Sequence, residues 1–118
     1  MDPGPAAALA AFFAPRSVAV IGASRDPSKV GGSVLANLLA AGFEGRVVPI
    51  NSRADTVQGL PAVASILAVD GPVDLAVIAV PAPAVLPALR ECAEKGVGGA
   101  VVLSAGFRES EKNGRINS

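Results

Sequence analysis

Ser17-Val18-Ala19-Val20-Ile21-Gly22-Ala23-Ser24-Arg25-Asp26-Pro27-Ser28-Lys29-Val30-Gly31-Gly32 is the stretch on which the fold turns. Its first five residues form a short, β-prone run with little polar alternation, the pattern of a central parallel strand covered on both faces. The run stops at Gly22 and gives way to a small, flexible, basic loop. Beyond the loop, Val34, Leu35, Leu38 and Leu39 recur at helical spacing, which predicts a helix over 32–41. Gly42 follows as a residue able to adopt the left-handed C-terminal cap. Strand, loop and helix in that order are the opening of a parallel α/β sheet.

The same order continues along the chain. Arg46-Val47-Val48-Pro49-Ile50 reads as a second strand, and Pro49 requires a free backbone position there. A polar loop over 51–58 leads to a weak helix around 62–68. A third strand spans 74–80 and stops at Pro81, and a helix follows over 84–95 with Val85, Leu86, Leu89 and Cys92 on its inner stripe, capped by Gly96. A fourth strand, 99–103, runs into Ser104-Ala105-Gly106-Phe107. Residues 1–16 read as a leader with a short helix over 6–13 stopped by Pro15, 17–109 as the domain proper, and 110–118 as a polar tail. The pattern predicts an α/β fold, a Rossmann-like doubly wound parallel sheet in three α/β/α layers. Such a sheet normally has about five or six strands. Four are legible and the chain stops where the next helix is due, so a truncated domain is expected.

Bulk properties narrow the classes of function. The 118 residues are enough for one domain with its own core. Ten basic residues balance ten acidic ones, so no global field would hold the protein on nucleic acid or an anionic membrane, and any anion site is local. Histidine is absent, which removes the usual triad base and the commonest zinc ligand. The lone Cys92 excludes an internal disulfide and fits a reducing cytoplasm, and its place on an apolar stripe reads as a buried structural thiol. The apolar start of the chain carries Asp2 and no basic region, unlike a signal peptide. The longest apolar run, 75–89, is too short for a bilayer and is interrupted by Pro81, Pro83 and Pro87.

In doubly wound sheets ligands lie outside the carboxyl ends of the strands, at the point where strand order reverses. The first end supplies Gly22, Ala23, Ser24, Arg25, Lys29 and Gly31, a loop whose amides and following helix dipole suit a phosphate. An ordinary surface turn is the plain alternative. Ser24 stands where the dinucleotide fingerprint has its middle glycine. The second end offers Asn51 and Arg53 where a nicotinamide dinucleotide site wants an acid, and this favours a phosphorylated ribose: that of coenzyme A or that of NADP. A solvated surface charge is the alternative for Arg53. Val80 and Pro81 at the third end could wall an adenine or pantetheine arm or simply punctuate a helix. Leu103, Ser104 and Ala105 at the fourth leave room for a thin ligand arm, or form a plain turn.

Taken together, these ends resemble the coenzyme A-binding domain of the NDP-forming (ADP-forming) acyl-CoA synthetases, relatives of the succinyl-CoA synthetase alpha subunit. The resemblance is carried by Pro15–Ser24, by Gly42-Phe43-Glu44-Gly45 with Val48–Asn51, by Val73–Ala82, and by Ser104–Phe107, and covers roughly Leu9 to Glu109. It implies that coenzyme A meets the Ser24 loop with its phosphates, Arg53 with its phosphorylated ribose, Val80 and Pro81 as a wall, and Leu103 to Ala105 as a strand end. It implies an acid–thiol ligase that converts acyl-CoA, ADP and phosphate to acid, coenzyme A and ATP through a phosphorylated His. That His and the ATP-grasp domain would belong to downstream or separate parts, so the isolated chain would bind coenzyme A or acyl-CoA without catalysis. The same module is similar to the regulatory part of some protein acetyltransferases. An NADP-binding fragment of a reductase and a pure scaffold are the remaining alternatives.

Overall fold

The computed structural model of the chain describes residues 14–103. Strand β1 (Ser17–Ile21) leads through the basic loop into helix α1 (Val30–Ala40), and strand β2 (Arg46–Ile50) returns beside β1. A two-residue hairpin of β3 (Thr56–Val57) and β4 (Leu60–Pro61) and a 3-10 turn (Ile66–Ala68) follow. Strand β5 (Leu75–Ile78), helix α2 (Ala82–Lys95) and strand β6 (Gly99–Val102) complete the described chain.

The main sheet is wholly parallel with the order β2-β1-β5-β6. Order therefore reverses between β1 and β5, where the chain has gone out to β2 and come back across. Alternation along β1 divides the core. Ala19 and Ile21 join Ala76 and Ile78 on the face covered by Val85, Ala88 and Cys92 of α2. Val18, Val20 and Val77 lie on the other face with Leu35 of α1. The helices thus cover opposite faces, which makes the chain the expected Rossmann-like three-layer α/β/α fold. Pro49 is tolerated because β2 is the sheet edge: its carbonyl accepts from Val63 N–H at 3.0 Å on the outer side, so its missing N–H also faces outward.

Several local expectations are corrected. The segment expected as a weak helix over 62–68 contains only the 3-10 turn, and the hairpin precedes it. Ser65 starts the turn, its hydroxyl accepting from Leu67 N–H at 3.1 Å, and the chain leaves helical geometry at Val69 (φ −72°, ψ 128°), shortly before Gly71-Pro72. Pro83 allows α2 to begin at Ala82, two residues before the predicted start. Leu86 faces outward at 55% exposed, whereas Val85, Ala88 and Cys92 point inward. Leu39 of α1 likewise faces solvent. The C-terminal caps follow expectation, with Gly42 and Gly96 at φ +71° and +82°. The expected helix over 6–13 lies outside the described residues.

Among the described residues the hairpin turn is the one place where a residue other than glycine takes positive φ, with Gln58 at +50° beside Gly59 at +83°. A left-handed backbone costs an ordinary side chain about 1–2 kcal/mol. Val57 anchors the hairpin, fully buried on the α1 face of the sheet beside Leu60 and Ala62.

Candidate functional site

The carboxyl ends of β1, β2 and β5 open into one cleft of about 700 Å³, within the size range of small-molecule sites. Its floor is the switch point itself. Gly22 N–H donates to Ile50 carbonyl at 3.2 Å, and Ala79 N–H donates to Ile21 carbonyl at 2.8 Å, so the three strand ends are held level. Gly22 lies at φ +89°, and a Cβ there would stand 2.3 Å from the Ala79 carbonyl oxygen, which restricts the position to glycine.

The basic loop folds against α1 by its own polar groups. Ser24 Oγ accepts from Asp26 N–H at 3.0 Å, and the Asp26 carboxylate accepts from both the amide and the hydroxyl of Ser28 at 2.9 and 2.7 Å. The Ser28 hydroxyl bond, then its amide bond, hold the Asp26 carboxyl below the usual carboxylate range, and Lys29 adds to the effect. Helix α1 has no side-chain N-cap and no acid in its first turn. The amides of Val30, Gly31 and Gly32 are therefore the unpaired donors at its start, and they give the loop partial positive charge. Gly31 and Gly32 are buried against the loop backbone.

Of the residues expected at the site, Gly22, Ala23, Ser24, Lys29, Gly31, Asn51, Arg53, Val80 and Pro81 line the cleft together. Arg25 and Leu103 do not. Arg25 is exposed on the loop, and Leu103, at the end of the β6 edge, donates its N–H to Ile78 carbonyl at 2.7 Å outside the cleft. Ser104 and Ala105 lie outside the described residues. Ser28, Val30, Ser52, Ala64 and Ala79 also line the cleft without having been expected there, and so do Ile21 and Ile50, which the sequence marks only as strand core. Being the last residues of strands that end at the switch point was the available signal.

Asn51 proves to be internal scaffolding. Its amide nitrogen donates to Ala23 carbonyl at 2.9 Å, and its oxygen accepts from Arg53 N–H and Ala54 N–H at 2.7 and 3.1 Å. This clamp ties the β2 tip to the basic loop and sets the backbone from which Arg53 projects. Among the described residues, Lys29 and Arg53 are the cations of the cleft lining and no acid lines it.

Cys92 lies away from this cleft, 2% exposed in the α2 core. Burial, and secondarily the charge of Glu91, push its thiol pKa up. A raised native pKa adds stability that is present below the unfolded thiol value and lost as pH rises through the native one. Unfolding at increasing pH should therefore show a Cys92-dependent loss of stability setting in only above about pH 8.5, absent in Cys92→Ala. At neutral pH the thiol should resist labelling until the chain is denatured.

Among the described residues no helix is long and apolar enough to cross a membrane, and no cluster of metal-binding side chains occurs. The chain resembles known proteins over most of its length. It is 47% identical over 103 residues to the ADP-forming acetate–CoA ligase II of Archaeoglobus fulgidus, covering 87% of this chain and 15% of that protein. It is 48% identical over 104 residues to the alpha subunit of the ADP-forming acetate–CoA ligase II of Pyrococcus furiosus, covering 88% of this chain and 22% of that subunit. The solved dinucleotide-forming acetyl-coenzyme A synthetase 1 of Ca. Korarchaeum cryptofilum superposes with a TM-score of 0.81 at 46% identity, over 86% of this chain and 22% of that one. The chain thus spans under a quarter of the length of these relatives. The similarities support the ligase reading and not the reductase or acetyltransferase alternatives. With the model of the CoA binding domain matching residues 16–114, the chain belongs to that family and is a coenzyme A-binding domain.

Proposed function

We propose that coenzyme A lies across the ends of β1, β2 and β5, and that the chain is the coenzyme A-holding portion of an ADP-forming acyl-CoA synthetase. One observation carries this reading: a basic loop at a helix start, a cationic β2 tip and an apolar β5 end converge on a single cleft in a chain of the CoA-binding family. Each feature has a counterpart in the ligand. The amides of Ala23, Ser24, Gly31 and neighbours, with the Ser24 hydroxyl and the Lys29 ammonium, receive the pyrophosphate. Gly22 and Gly31 let the ends of β1 and β5 and the start of α1 pack closely beneath the ligand. Arg53 pairs with the 3′-phosphate of the ribose, and Val80 and Pro81, whose backbones offer a stiff apolar edge, flank the thin arm.

In this reading coenzyme A is a substrate, exchanged in the conversion of acyl-CoA, ADP and phosphate to acid, coenzyme A and ATP. With no histidine in its sequence, the chain supplies no phosphohistidine. Phosphoryl transfer and nucleotide binding then fall to further domains or partner chains. The unpaired Cys92 supports a cytoplasmic setting.

Calorimetric titration of the chain with coenzyme A, dephospho-coenzyme A, NADP and NAD tests the reading. Coenzyme A should bind, dephospho-coenzyme A more weakly, and the dinucleotides least. Tight NADP binding with none for coenzyme A would overturn it. A charge-assisted bond at an exposed tip predicts that Arg53→Ala weakens coenzyme A by about tenfold and leaves dephospho-coenzyme A nearly unchanged. Equal losses for both would refute the role of Arg53.

A further inference from the structure

The Gln58 side chain crosses from the β3–β4 turn to the back of the basic loop. Its amide nitrogen donates to the Ser24 carbonyl at 2.9 Å and to the Gly32 carbonyl at 3.0 Å, which uses both of its hydrogens. These carbonyls lie on either side of the loop, one just after β1 and one in the first turn of α1. The residue that makes this bridge is also the one described residue other than glycine with positive φ. Two independent features thus coincide at one position: an unfavourable backbone that glycine or asparagine would relieve, and a side chain long enough to span the loop.

We propose that Gln58 is a positioning residue for the ligand site, a tether that fixes the spacing between the start of the basic loop and the start of α1 before any ligand arrives. By taking up these two carbonyls, it fixes the segment that carries Ser24, Lys29 and Gly31 of the cleft lining. Asn51 performs the matching task one residue earlier, by donating to the Ala23 carbonyl. Two side-chain amides, one just after β2 and one in the β3–β4 turn, therefore hold three backbone carbonyls of the loop and helix start. A loop pinned in this way gives its donors to a phosphate without first having to be ordered. The tether deepens the reading of this loop as the phosphate site and rests on it for its effect on affinity. Its effect on the free loop does not depend on that reading.

The discriminating variants are Gln58→Gly and Gln58→Asn, made in the full chain. Both suit the left-handed backbone, and neither reaches the two carbonyls. Relief of backbone strain offsets the lost hydrogen bonds, so the melting temperature should stay close to that of the parent. Without ligand, amide hydrogen exchange over 22–32 should quicken by about tenfold, and coenzyme A affinity should fall by a similar factor. Ser17→Ala is the control. It removes a hydroxyl that donates to Pro72 carbonyl and accepts from Asp74 N–H at the opposite end of β1, and it should lower stability without selectively quickening the loop or weakening coenzyme A. Loop exchange unchanged in both Gln58 variants would overturn the tether. Faster exchange with unchanged affinity would uphold the tether and overturn the placement of phosphate in this loop.

Discussion

Gly31→Ala is expected to abolish measurable coenzyme A binding and to lower the stability of the fold by roughly 2–4 kcal/mol. A Cβ at this position would lie 2.0 Å from the carbonyl oxygen of Gly22 and 3.2 Å from Cα of Ala23. Both are backbone atoms, so no rotamer change relieves the overlap. Either α1 moves away from the sheet or the end of β1 gives up its place at the switch point, by more than about 1 Å in either case. The higher helix propensity of alanine, worth about 1 kcal/mol, acts in the opposite direction and is the smaller effect. A displacement of that size takes the α1 amides away from the phosphate while the β2 and β5 ends keep the rest of the ligand in place, and misplacement by about 1 Å can cost two orders of magnitude in well-oriented sites. Thermal unfolding by circular dichroism and coenzyme A calorimetry measure the two consequences separately. Parental affinity in the folded variant would show that the contact between loop and helix is not what positions the donors.

Gly31 is legible in the sequence as part of a loop between a buried strand and a helix, although the close backbone approach that calls for glycine there is not. A string of residues shows that a loop is small and flexible, and only the folded chain shows which carbonyl lies over which Cα. The parallel strands and the two helices could be read because their apolar residues recur with the period of a buried element, and the four strands of the main sheet appear within a few residues of expectation. The β3–β4 hairpin could not. Two residues per strand are too few to show alternation, and Gln58-Gly59 lacks the Asn or Asp that usually marks a turn with positive φ at its first central residue. Leu86 does not belong to the inner stripe because it stands about 100° around the helix from Val85, and with Val85, Ala88 and Cys92 turned inward it falls on the outer side. Asn51 is legible by position, and its hydrogen bonds to the chain are not. Strand-end residues were assumed to face the ligand, whereas its amide turns back onto the chain. Position along a strand is encoded locally, but side-chain direction at a strand end is set by which unpaired backbone groups lie nearby.

Leu35→Ala should be nearly as destabilising and yet leave the ligand site functional, and the contrast with Gly31→Ala separates fold from site. Leu35 is fully buried, and it is the one large side chain among the buried residues of α1, the others being Gly31 and Gly32. It fixes the helix on the face of the sheet formed by Val18, Val20 and Val77. Truncation removes a buried branched side chain and leaves a cavity, at a cost of about 3 kcal/mol within the usual range for such sites, or a fall in melting temperature of roughly 12–24 °C for a domain of this size. The loop geometry is affected far less, because the close backbone approach at Gly31 and Gly32, the Asn51 clamp and the Gln58 bonds all survive the substitution. Coenzyme A affinity of the folded variant should therefore remain within a few-fold of the parent. Mass action then makes a quantitative distinction: a ligand present at a hundred times its dissociation constant adds about 2.7 kcal/mol to the native state. Saturating coenzyme A should consequently restore most of the stability lost in Leu35→Ala and almost none of that lost in Gly31→Ala. If coenzyme A rescued neither variant, α1 would hold the donors through Leu35 as much as through its glycines, and the site could not be separated from the core beneath it.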